Sequence, residues 1–160
     1  MTNLEDLPIR DDLKGQKPYG APQLAVPVSL NVNENTHRVP EAVAVEIIER
    51  LAKAVLDINR YPDREFTSLR EALANYLQFG LTSANLWAAN GSNEVLQQIF
   101  QAFGGPGRTA IGFDPTYSMY RLLAQATGTE YLDTSRGERF ELSPELIRST
   151  ILEKKPSIVL

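Results

Sequence analysis

The chain has 160 residues, 42% of them hydrophobic and 22% charged, which suits a soluble globular protein with a real core. A net charge of −4 with no basic run argues against a nucleic-acid footprint, and the lack of cysteine excludes disulfides, thiolate metal sites and thiol nucleophiles. The acidic start, MTNLEDLPIRDDLKG, has no apolar core and is not a secretory signal, and no apolar stretch is long enough to span a membrane, so the expected location is the cytoplasm.

Four prolines (Pro8, Pro18, Pro22 and Pro27) fall before Leu30 with little periodicity around them, which predicts an extended arm lying on another surface. Pro40 opens a helix at the position where a missing N–H costs least. Val43, Ile47, Leu51, Val55 and Ile58 then recur on one face. The turn NRYPD, Asn59 to Asp63, breaks that helix, because Pro62 disfavours helical backbone at Tyr61. Ser68 to Glu71 reads as a capping box. It leads a second helix with Leu69, Leu73, Tyr76 and Leu77 on one stripe, stopped by Gly80.

From there strands and helices alternate. LWAAN (86–90) is a predicted strand, followed by a helix over SNEVLQQIFQAF with Val95, Leu96, Ile99, Phe100 and Phe103 inward. GGPG (104–107) turns into a strand at TAIGF. Asp114 and Pro115 cap and open a third helix of this series, which Gly128 ends. TEYLD is a strand, Ser143-Pro144 starts a helix, and PSIVL begins a last buried strand. The alternation predicts an α/β fold with a largely parallel sheet. Because a buried strand rarely finishes a domain, the expectation is that these residues are the N-terminal part of a larger protein.

Two junctions draw attention. Gly91, Ser92 and Asn93 stand where a helix begins. There, free backbone N–H groups and the positive end of the helix dipole suit a phosphate. Ser and Asn are also favoured as plain caps, and on these residues alone the plain cap is the commoner outcome. Tyr117, in FDPTYSMY, leaves the C-terminal end of a strand, the edge where ligands collect in open α/β sheets, and its ring could stack on a flat cofactor or simply pack. Tyr61 is a phenol in a fixed turn, able to bind phosphate or to anchor the turn. His37, the single histidine, has no acid or thiol at a recognisable spacing and no predicted role. No metal site is expected.

Together LNVNEN (30–35), NRYPD, NGSNEVLQQIFQAFGGPG and DPTYSMY resemble, in order and spacing, the histidinol-phosphate aminotransferases, and PYGAPQL (18–24) looks like their actinobacterial-type branch. The resemblance implies a pyridoxal 5'-phosphate enzyme of the aspartate-aminotransferase fold type I. The implied fold is three-layered with a mostly parallel sheet. Residues 1–58 would form the arm and a small-domain helix, and residues 59–160 the first part of the cofactor-binding large domain. It implies that Gly91, Ser92 and Asn93 cradle the cofactor phosphate and that Tyr117 stacks on its ring. Tyr61 would reach the phosphate held by the other subunit of a homodimer, while Tyr19 and Asn33 cover the substrate pocket. The implied reaction moves an amino group between L-histidinol phosphate and 2-oxoglutarate, giving imidazole-acetol phosphate and glutamate. The family's Schiff-base lysine, with the aspartate and arginine that assist it, is expected beyond Leu160. None of Lys14, Lys17, Lys53, Lys154 and Lys155 matches the lysine's position. The 160 residues alone are therefore expected to be inactive. An aromatic-amino-acid aminotransferase of the same fold and a non-catalytic, phosphate-binding or dimerising module stay open as alternatives.

Overall fold

The structure is a computed structural model that describes residues 6–16, 20, 22 and 24–160. The chain divides into two units, Met1–Thr67 and Ser68–Leu160.

In the first unit the described residues of the arm include a 3₁₀ turn at Asp11–Leu13 and are otherwise largely irregular. Helix α1, Glu41–Ala54, follows Pro40, which stands at the N-cap rather than inside the helix as expected. A 3₁₀ turn at Val55–Asp57 tightens its end. None of its residues is buried, so the apolar face over Val43, Ile47 and Leu51 is real as a pattern but open.

Helix α2 spans Thr67–Leu77. The expected capping box at Ser68–Glu71 does not form, because the helix has already begun. The Asp63 carboxylate accepts the N–H groups of Glu65 and Thr67, both at 3.0 Å, and so occupies the capping role from outside. The helix stops at Leu77, ahead of Gly80, where Gln78, Phe79 and Gly80 all take positive φ. Of its apolar stripe only Ala74 is buried.

The expected strand at 86–90 is also absent. Leu86 is extended, with φ −120° and ψ 144°, yet extended backbone becomes a strand only beside a partner. The sheet holds three strands in the order β2-β1-β3, none of them next to this segment. Helix α3, Ser92–Phe103, leads to β1, Thr109–Asp114. Helix α4, Met119–Thr127, crosses to β2, Glu130–Ser135. Helix α5, Pro144–Lys154, crosses to β3, Ile158–Val159. Both neighbours pair with β1 in parallel, Ala110 facing Tyr131 on one side and Ile158 on the other. The α/β class and parallel sheet are as expected.

Phe100 of α3, Leu123 and Ala124 of α4, Ala110 and Ile158 form the core of this unit, with Leu96, Met119, Tyr131 and Leu160 packed on it. Fully buried Phe100 and Ile111 contribute roughly 2–3 kcal/mol each by leaving water. Ile99 and Phe103, expected inward, stand 37% and 56% exposed, so α3 covers the sheet with a narrower stripe than its sequence offers. Gly128 closes α4 in the left-handed conformation, and the Ser143 hydroxyl caps α5 by accepting from the Leu146 N–H at 3.0 Å, with Pro144 in the first turn.

Candidate functional site

The second unit brings together its two sequence-predicted junctions, Gly91 to Asn93 and Tyr117. Gly91 is the N-cap of α3 with φ +84°, a backbone conformation that glycine adopts without strain. A Cβ there would meet nothing within 4 Å, so the approach to the helix end is open. Having no side chain, Gly91 cannot cap, so the first N–H groups of α3 have no bond from their N-cap residue. Glu94 turns back from the first turn and accepts the Asn90 N–H at 2.6 Å, fixing the chain just before the cradle.

Tyr117 does not lie in the first turn of a helix. Asp114–Pro115 is a cis peptide bond, the chain loops through Pro115 to Ser118, and α4 starts only at Met119. Asp114 therefore ends β1 and does not cap α4. The loop carries Tyr117 toward α3, where its hydroxyl donates to Asn93 Oδ1 at 3.1 Å. That bond engages the carbonyl end of the Asn93 amide and leaves its NH₂ as a donor. Tyr117 keeps 43% of its surface exposed and meets the Tyr120 ring edge-on, centroids 5.5 Å apart.

Behind this loop lies a cleft of about 440 Å³, lined by Asp114 to Ser118, Arg121 and Tyr131. Arg121 hydrogen-bonds the Asp133 carboxylate and lies 3.5 Å from Asp114 Oδ2. Its guanidinium also sits 5.3 Å from the Tyr131 ring centre. Burial first, and then the Asp133 carboxyl, push the Asp114 carboxyl above its ordinary range, with Arg121 opposing. The Tyr131 phenol is pushed up to about 12, by burial first and then by Asp114 and Asp133. Its hydroxyl is buried with no hydrogen-bond partner among the described residues, pressed against Gly112, where a Cβ would fall only 2.8 Å from Tyr131 Cζ. Nothing in the spacing of the sequence points to Arg121, Asp133 or Tyr131. They meet through the register of β1 and β2 and the crossover of α4.

The remaining predicted positions belong to the first unit or lie outside the described residues. Tyr61 is fully exposed in its turn, and the Arg60 N–H beside it donates to the Asp57 carbonyl at 2.9 Å. Asn33 is exposed with φ +54°. Tyr19 falls outside the described residues. His37 is exposed, its backbone N–H bonded to the Asn35 side chain. No cluster of metal-ligating side chains occurs among the described residues.

Residues 25–159 match the family model described as aminotransferase class I and II. The chain belongs to the class I and II aminotransferases. Among curated relatives, a protein named histidinol-phosphate aminotransferase from Paenarthrobacter aurescens (strain TC1) is 58% identical over 99% of this chain and 43% of its own length. Another of that name, from Thermobifida fusca (strain YX), is 52% identical over 98% of this chain and 43% of its own length. The chain thus spans under half the length of these aminotransferases. Among solved structures, histidinol-phosphate aminotransferase from Sinorhizobium meliloti, in complex with pyridoxal-5'-phosphate, aligns with TM-score 0.62 at 19% identity, over 71% of this chain and 30% of that one. A methionine aminotransferase, YbdL from Escherichia coli, aligns with TM-score 0.56 at 22% identity, over 68% of this chain and 31% of that one. These two likenesses concern the fold alone.

Proposed function

We propose that the protein carrying this chain is a pyridoxal 5'-phosphate-dependent aminotransferase of histidine biosynthesis. It moves the amino group of L-histidinol phosphate to 2-oxoglutarate, yielding imidazole-acetol phosphate and glutamate. The cofactor part of this reading is carried by one observation: an exposed aromatic ring bonded to the first turn of a helix whose N-terminus is open. The substrate part rests on the 58% identity to a relative named for that reaction.

The residues present fit the group. The Ser92 and Asn93 N–H groups, the Ser92 hydroxyl and the Asn93 amide would bind the phosphate, with Gly91 allowing close approach. Tyr117, tethered through Asn93, would hold the ring plane by stacking, which keeps the reacting carbon at one orientation to the substrate. When bound, pyridoxal phosphate supplies an electron-withdrawing ring on which an amino group can be exchanged. Tyr61, fully exposed, would reach the phosphate bound by a second copy in a homodimer. Tyr19 and Asn33 would cover the substrate. The exposed apolar face of α1 supports an assembly in which that helix is covered. We assign residues 1–58 to the arm and small domain and residues 59–160 to the first part of the cofactor domain. The location that fits this metabolic role is the cytoplasm, and no helix among the described residues is long and apolar enough to cross a membrane.

The test is glutamate formation from 2-oxoglutarate by the complete protein, with L-histidinol phosphate or L-phenylalanine as donor. Higher kcat/KM for histidinol phosphate is expected. Preference for phenylalanine would replace the substrate with an aromatic amino acid, and no transfer from either would overturn the reading.

A further inference from the structure

We propose that Arg121 is a positioning residue for Tyr117, holding the Asp114–Ser118 loop at both of its ends. The proposal rests on the reading that Tyr117 stacks on the cofactor ring. The loop leaves β1 at Asp114 and enters α4 at Met119. Arg121 projects from the first turn of α4 and reaches back to the strand ends, 3.5 Å from Asp114 Oδ2 and hydrogen-bonded to Asp133 of β2. One guanidinium therefore ties the exit of the loop to its entrance and to the neighbouring strand.

An isolated exposed ion pair would contribute little. Here three features add to it. Arg121 is the cation facing two carboxyl groups that also meet each other, so its loss leaves the Asp114–Asp133 contact without a counter-charge at the residue where the loop begins. Its plane also rests on the Tyr131 ring at 5.3 Å, and that ring is wedged against Gly112 in the sheet. The strand end itself is fixed, since the Arg136 side chain donates to the Phe113 carbonyl at 2.8 Å and the Arg136 N–H to the Asp114 carbonyl at 3.0 Å. Arg121 thus pulls α4 toward a firm anchor. Tyr117 follows α4, because its carbonyl accepts the Tyr120 N–H at 3.2 Å and its ring packs edge-on against Tyr120. The far end of the ring is set by Asn93, so the position of α4 decides whether that bond and the stacking plane can hold together.

The experiment is a double-mutant cycle in the complete protein: unaltered, Arg121→Met, Tyr117→Ala, and both. Each version is titrated with pyridoxal 5'-phosphate for its dissociation constant and for the circular dichroism of the cofactor band, and each is melted without cofactor. Arg121→Met is expected to weaken binding roughly three- to tenfold and to shrink the dichroism, but to change binding less than about twofold in the Tyr117→Ala background. Arg121→Lys, a point charge that can serve one carboxylate well, is expected to fall between. Asp133→Asn, which loosens Arg121 without leaving two facing carboxylates, repeats the pattern if Arg121→Met does not fold. An equal loss in both backgrounds would make Arg121 merely structural and overturn the proposal. Unchanged binding in Arg121→Met, with clear weakening in Tyr117→Ala, would overturn it while leaving the reading of Tyr117 intact. Unchanged binding in Tyr117→Ala would sink that reading and the proposal with it.

Discussion

Substituting Gly112 by alanine should damage the fold through a single neighbour, Tyr131. A Cβ on Gly112 overlaps the Tyr131 hydroxyl and lies 2.8 Å from Cζ, well inside van der Waals contact. The core cluster packs the ring on one side and Arg121 lies over it, so the ring can withdraw only toward the cleft that both residues line. Overpacking of this kind costs about 1–3 kcal/mol. The hydroxyl itself is buried with no partner among the described residues, and a polar group left in that condition costs about 1–3 kcal/mol. Tyr131→Phe is therefore expected to stabilise the protein by about 1 kcal/mol, against the usual trend for core substitutions. It also removes the atom that alanine at position 112 strikes first, so the two changes should couple. The double variant should be more stable than the sum of the single effects predicts, by about 1 kcal/mol. Cζ remains close, so part of the clash persists. Urea titration of the four versions of the complete protein measures the cycle. A destabilising Tyr131→Phe would mean that the hydroxyl has a partner. A neutral Gly112→Ala, or strict additivity, would mean that the ring does not sit on Gly112.

The same phenol predicts a pH effect. Its pKa is raised to about 12 from an ordinary value of 10.0, so the folded protein keeps a proton that the unfolded chain releases. The stability this contributes is complete below the unfolded value and is lost as pH rises through the window between the two; melting temperatures followed across it should fall less steeply in Tyr131→Phe. Gly91→Ala meets no atom but forces alanine to φ +84° and ψ 166°, a region used essentially by glycine alone, so a loss of about 1–3 kcal/mol is expected from backbone strain alone, read as a lower urea midpoint. Ser143→Ala removes the cap on α5, whose hydroxyl accepts the Leu146 N–H, and should cost about 1 kcal/mol in the same assay.

Much of the fold can be read from the sequence where the deciding forces are local. Helices α3 and α5 announce themselves by apolar spacing and by Ser143-Pro144, and β1 and β2 by short apolar runs bounded by Gly and Thr. The errors fall where a distant or competing group decides. Residues 86–90 are extended without being a strand, because a ladder needs a second chain segment that no local pattern supplies. The cap of α2 went to Asp63 because its carboxylate reaches the Thr67 N–H before Ser68 can act. Pro115 reads as a helix opener because Pro suits a first turn, yet the chain turns through three more positions before Met119. In the site, Gly91, Ser92, Asn93 and Tyr117 were visible as residues at loop–helix junctions, but the Tyr117–Asn93 bond depends on how α3 and α4 pack. Arg121, Tyr131 and Asp133 carried no signal, since long-range register alone brings a guanidinium, a phenol and two carboxylates to one edge.

The central claim is that the open end of α3 binds the phosphate of pyridoxal 5'-phosphate. It is tested most directly by comparing that compound with pyridoxal, which lacks the phosphate, in the unaltered protein and in Ser92→Ala. A hydrogen bond to a charged oxygen contributes about 1.5–3 kcal/mol, so Ser92→Ala should lower the preference for the phosphorylated form by roughly tenfold or more while leaving pyridoxal affinity unchanged. An unchanged preference, or an equal loss for both compounds, would contradict the placement of the phosphate at this helix end.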